Sequence, residues 1–191
     1  MNLRLSLLRH GETELGGALR GSLDDALTPA GWAQMQAAVQ GQGPWNRVVS
    51  SPLQRCAGFA ATLGSPLVLE PRLQELHFGD WEGMALAQVH EQYSEALGRF
   101  WASPYEHTPP NAEPVAAFAE RVWAALADLA RRYPGEHLLL VTHGGVMRLL
   151  LAAARGVPRD ALLQVAVTHG QLSTLIWQNG EVSEVTTCSA A

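Results

Sequence analysis

Leu138-Leu139-Leu140-Val141-Thr142-His143-Gly144-Gly145 decides the fold. The β-prone run from Leu138 to Thr142 is uninterrupted, a glycine pair punctuates it, and Val146 to Arg155 continues as a helix ending at Gly156. The unit is a strand, a tight turn and a helix. The same reading extends to the start of the chain, where the short apolar run Leu3 to Leu8 predicts a buried strand ending near Arg9.

Between these two strands, helices and strands alternate. After the glycine-rich stretch at Gly16, Gly17 and Gly21, Thr28 and Pro29 supply a capping hydroxyl and a first-turn proline for a helix running to about Gln42. Val48-Val49 predicts a strand, and Ser50-Ser51-Pro52 starts a helix carrying Arg55, Phe59 and Leu63 toward Gly64. Leu67 to Leu69 makes a third strand, and Leu73 to Gly83 has the irregular composition of a functional loop. Residues 86–102 predict a helix, followed by a break at Pro104, Pro109, Pro110 and Pro114. A second helix then places Val115, Phe118, Val122, Leu126, Leu129 and Tyr133 on one face. Asn179-Gly180, between Leu172 to Trp177 and Val182 to Thr186, signals a hairpin. The expected fold is a three-layer α/β/α sandwich around a mainly parallel sheet, with residues 1–191 as one domain.

Composition narrows the chemistry. Of 191 residues, 47% are hydrophobic and 16% charged, enough apolar content to bury a sizeable core. All 13 basic residues are Arg, which excludes a phosphate-loop lysine, a Schiff-base lysine and a lysine general base. Any anion must be held by Arg and His. The formal charge of -5, with no basic stripe, argues against nucleic acid as a partner. Cys56 and Cys188 lie far apart and outside any metal-ligand spacing, so neither a structural metal nor a disulfide framework is expected. The opening segment is interrupted by Arg4 and Arg9 and too short for a signal core, and no run is long enough to span a membrane. The cytoplasm is the expected compartment.

Ligands of such sheets bind beyond the carboxyl ends of the strands, where Arg9-His10-Gly11-Glu12-Thr13 and Val141-Thr142-His143-Gly144-Gly145 both fall. Taken alone, His10 reads as an ordinary surface or hydrogen-bonded core histidine, Gly144-Gly145 as a common turn and Arg55 as a surface residue. Together the three junctions bring two Arg and two His to one sheet edge, a set matched to a tetrahedral dianion.

Five motifs, in order, carry a resemblance. They are R-H-G-E-T at 9–13, Asp25-Ala26-Leu27-Thr28 with Gly31, S-S-P-L-x-R-C at 50–56, the Leu73 to Gly83 stretch, and V-T-H-G-G at 141–145. The chain resembles the histidine phosphatases of the branch that includes the cofactor-dependent phosphoglycerate mutases, and within it is most similar to the α-ribazole phosphatases of cobalamin biosynthesis. The resemblance implies His10 as the nucleophile, Arg9 and Arg55 as phosphate clamps, His143 as a second histidine facing the phosphate, and Glu75 as the acid that protonates the leaving oxygen. Arg20, Gly144 and Trp81 complete the expected substrate-binding set. Glu12 is expected to hold its loop and a neighbouring Arg, and Glu82 to play a similar structural part. Two departures stand out: Gly16 replaces an Asn found in many relatives, and Pro110-Asn111-Ala112-Glu113-Pro114 replaces P-x-G-E-S.

The expected activity is metal- and cofactor-independent hydrolysis of a small phosphate monoester through a phosphohistidine, with α-ribazole 5'-phosphate as substrate. The expected partner is that small molecule, with no nucleic acid or membrane and a homodimer left open. Rival readings are a mutase, a broad-specificity sugar or nucleotide phosphatase, and a non-catalytic phosphate-binding protein. Between Met84 and Val115 only Arg99 is basic, which disfavours a second anionic group on the substrate, while Trp81, Trp101 and Tyr105 offer stacking surface for a neutral base.

Overall fold

The computed structural model describes residues 2–185. In chain order it contains β1 (Asn2–Arg9), α1 (Pro29–Val39), β2 (Arg47–Ser50), α2 (Gln54–Ala60), β3 (Leu67–Leu69), α3 (Leu86–Ala102), α4 (Val115–Arg132), β4 (His137–Thr142), α5 (Gly144–Ala154), β5 (Leu172–Gln178) and β6 (Glu181–Glu184). Short 3₁₀ turns occupy Pro71–Leu73, Gly79–Trp81 and Arg159–Gln164. The strands form one sheet in the order β3-β2-β4-β1-β5-β6, the first four parallel and the last two antiparallel.

Side-chain alternation along β4 explains why both faces of this sheet are covered. Leu138 and Leu140 enter a core with Phe118, Val122 and Leu126 of α4 and Leu150 of α5, whereas Leu139 and Val141 enter another with Met35 of α1 and Phe59 of α2. The expected three-layer α/β/α architecture is therefore present. No helix of the described residues is long and apolar enough to cross a membrane.

Several boundaries differ from expectation for local reasons. Helix α1 stops at Val39 because Gln40 turns extended (ψ 124°) and Gly41 takes a left-handed φ of 69°. Helix α2 cannot begin at the serines, since the Ser51 amide still donates to Val141 O at 3.0 Å and so prolongs the sheet ladder. It also ends at Ala60, short of Gly64. Helix α5 starts at Gly144, immediately after β4. The expected strand end at Thr186, and Cys188, lie outside the described residues.

Register positions the site. Arg9, the last residue of β1, pairs with Thr142, the last of β4, so His10 and His143 leave the sheet together at its carboxyl edge. Ser50 of β2 pairs with Val141 and places Ser51 at the same edge. The loop after His10 packs against α1 at glycine-only contact: a Cβ on Gly11 would stand 2.1 Å from Gly31 O.

Candidate active site

His10 is buried, and its Nδ1 lies 2.8 Å from Gly11 O. A carbonyl only accepts, so Nδ1 carries the proton and Nε2 keeps its lone pair. Burial is the main force holding its pKa well below the ordinary imidazole range. The bond to Gly11 O opposes the shift, and Arg55, Arg9 and His169 add to it. The ring is therefore neutral at pH 7, with a nucleophilic nitrogen.

Behind it lies His143, whose ring centroid is 5.3 Å from that of His10. Arg55 Nε donates to His143 Nδ1 at 3.3 Å, which leaves the proton on Nε2, 2.8 Å from Ser51 Oγ. Arg55 also donates to Leu23 O at 2.5 Å, to Gly21 O at 3.0 Å and to Asp25 Oδ1 at 3.3 Å. Asp25 Oδ2 in turn accepts from Arg20 at 3.2 Å. These bonds draw Arg55 and His143 to complete burial, 0% exposed each, and neither lines the cavity in front of His10.

That cavity, of about 280 Å³, takes in Arg9, His10, Arg20, Glu75, Arg148 and His169. A roomier one of about 420 Å³ also touches Glu75 but reaches neither His10 nor His143. Both oxygens of Glu75 accept from the Gly145 amide, at 3.0 and 2.9 Å. A Cβ on Gly145 would stand 2.2 Å from Glu75 Oε1, so the glycine admits the carboxylate. Gly144 is buried beside the guanidinium of Arg9.

Trp81 is not a stacking surface. Its ring is 0% exposed and packs edge-on against Phe100 at 5.9 Å, because the Gly79–Trp81 turn directs it into the core. Phe78, Phe100 and Trp101 line the cavity instead, and Tyr105 lies under Arg159 away from it. Glu12 bonds Thr28 Oγ1 at 2.9 Å rather than an Arg. Glu82 does hold loops together, accepting from the amides of Gly21, Ser22, Leu23 and Phe78.

Arg99 points away, paired with Glu95 on the exposed side of α3. The cavity is nonetheless cationic, because Arg9, Arg20 and Arg148 reach it from outside the Met84 to Val115 stretch, as does the imidazole of His169. The sequence did signal Arg148 and His169. Arg148 is the one charged residue in α5, a turn beyond His143-Gly144-Gly145, and Thr168-His169-Gly170 repeats Thr142-His143-Gly144. His169 lies with its ring 5.6 Å from that of His10, its pKa lowered to about 4 by burial and then by Arg9 and Arg20. Among the described residues no group of three or more His, Cys, Asp or Glu could hold a metal ion.

This fold, with a histidine at the end of each of two neighbouring parallel strands, matches the family model described as "Histidine phosphatase superfamily (branch 1)" over residues 5–188, and the chain belongs to that family. It is 31% identical to the Escherichia coli adenosylcobalamin/alpha-ribazole phosphatase, over 91% of this chain and 89% of that protein. It is also 31% identical to a metal-independent phosphoserine phosphatase of Arabidopsis thaliana, over 96% of this chain and 82% of that one. The solved structure of Bacillus stearothermophilus YhfR superposes with a TM-score of 0.88 at 25% identity, covering 99% and 98% of the two chains.

Proposed function

We propose that this protein hydrolyses phosphate monoesters through a phosphohistidine on His10. The observation that carries this is the Nδ1–H bond to Gly11 O, which leaves Nε2 of a neutral ring free beside Arg9 in the cavity. Nε2 attacks phosphorus in line as the ester P–O bond breaks, and the leaving oxygen takes a proton from the acid form of Glu75. Water then attacks the phosphohistidine and returns a proton to Glu75. Inorganic phosphate departs and His10 is neutral again. Arg9 offsets part of the roughly two negative charges of the phosphoryl group, and buried Arg55 adds a positive field from behind.

The proposed substrate is α-ribazole 5'-phosphate, which places the reaction in cobalamin biosynthesis in the cytoplasm, carried out by a monomer or a homodimer. The likeness to the Escherichia coli enzyme supports this. So does the apolar wall of Leu19, Phe78, Leu86, Phe100 and Trp101, which suits a large neutral base. Phosphoserine is the second reading, favoured by the equally similar Arabidopsis protein and by the cationic cavity. Rapid-quench labelling tests the chemistry: an acid-labile, base-stable phosphoprotein is expected, absent in His10→Ala. Label surviving in that variant removes His10 from the role. A panel of α-ribazole 5'-phosphate, phosphoserine, AMP, ribose 5-phosphate and 3-phosphoglycerate tests the substrate, with the highest kcat/KM expected on the first. Preference for phosphoserine selects the second reading, and mutase turnover of 3-phosphoglycerate defeats both.

A further inference from the structure

One stretch of backbone holds two arginines against the cavity. Arg9 Nη1 donates to Val167 O at 2.7 Å and Arg148 Nε to Val165 O at 3.0 Å. The two acceptor carbonyls lie two residues apart in one short segment, which carries the two guanidiniums next to each other. They meet over Gly144. A Cβ on that residue would stand 3.1 Å from Arg148 Nη1 and 3.3 Å from Arg9 Nε.

Those single bonds leave each group incompletely satisfied. Arg9 Nε is buried without a hydrogen-bond partner, and Arg148 makes no ion pair among the described residues. The pKa of Arg9 is lowered to about 10, chiefly by burial, with Arg148 and Arg20 pressing the same way and only Glu75 opposing. Two adjacent like charges, one with an orphaned buried donor, are stabilised when an anion comes between them.

We infer that Arg148 is a second guanidinium on the transferring phosphoryl group, closing with Arg9 a two-armed cradle over Gly144 that receives phosphoryl oxygens. Both arms line the cavity that His10 also lines and pack side by side on Gly144, so a single anionic group at His10 has both within its surroundings. The missing Cβ of Gly144 is what lets the two guanidiniums pack this closely against the start of α5. The inference rests on the phosphohistidine reading for its chemistry, but not on the identity of the leaving alcohol.

Orthovanadate, a phosphoryl mimic, separates this role from recognition of a charged leaving group. In Arg148→Gln the vanadate inhibition constant is expected to rise roughly ten- to hundredfold. kcat/KM should fall by a similar factor on both p-nitrophenyl phosphate and phosphoserine. Arg148→Lys should recover only part of the loss, since an ammonium lacks the planar fork. Gly144→Ala, whose methyl presses on both guanidiniums without removing charge, should weaken vanadate too. Vanadate binding unchanged in Arg148→Gln, with loss confined to phosphoserine or to melting temperature, overturns the inference. Failure of wild-type protein to label His10 overturns the phosphohistidine reading instead, and leaves the vanadate result to decide the cradle.

Discussion

The Gly145 amide donates to both carboxylate oxygens of Glu75, at 3.0 and 2.9 Å, across 70 residues of sequence. The first turn of α5 thus holds the carboxylate at the cavity that His10 also lines. Gly145→Ala is expected to displace Glu75 and to slow alkyl phosphate hydrolysis more than aryl phosphate hydrolysis, because a poor leaving group needs the proton more. Glu75→Gln should show the same bias. Equal losses on both substrate types in a steady-state comparison would remove Glu75 from leaving-group protonation.

Asp25 stands between Arg20 and Arg55, at 3.2 and 3.3 Å, and is the only ion-pair partner of fully buried Arg55 among the described residues. Removing it leaves a buried charge uncompensated. Asp25→Ala is expected to lose about 3 kcal/mol or more of stability in urea unfolding. A loss within about 0.5 kcal/mol, the range of ordinary surface substitutions, would show that the carbonyls of Gly21 and Leu23 hold Arg55 unaided.

Trp81 and Trp101 should behave oppositely. Trp81→Ala opens a cavity in the core and is expected to cost about 3–5 kcal/mol of stability. Trp101, 41% exposed and on the cavity wall, should change KM for bulky substrates with little effect on the denaturation midpoint. Reversal of that pattern would place Trp81 at the substrate after all.

Acid should destabilise the protein through its buried imidazoles. His10 and His143 are held well below 6.5, and His169 falls to about 4, each chiefly by burial. As pH drops through 6.5 the unfolded chain takes up protons that the folded chain refuses. The stability these groups contribute is complete above 6.5 and is lost progressively toward their folded pKa values. Urea midpoints should therefore fall between about pH 7.5 and about pH 5, and the NMR signals of His10 should stay at neutral-ring positions well below pH 6.5. Titration of His10 near 6.5 would contradict its burial as the dominant force.

Periodicity and punctuation along the chain determined the sheet, its helices and the two histidines at strand ends. These are local properties: a β-prone apolar run such as Leu138 to Val141 favours a buried strand, and the Gly144-Gly145 pair just beyond it marks the change of element, where it forms the first turn of α5. Which side chains line the cavity was decided only by long-range contact. Arg99 lies in the segment expected to face substrate yet pairs outward with Glu95, while Arg148 and His169 reach His10 from segments far along the chain. Trp81 and Trp101 are equally aromatic in sequence, and only the packing of the Gly79–Trp81 turn against Phe100 sends one into the core. Burial of Arg55 likewise depends on carbonyls at Gly21 and Leu23 and on Asp25, about 30 residues upstream, because a side chain's surroundings are set by whatever the folded chain brings beside it.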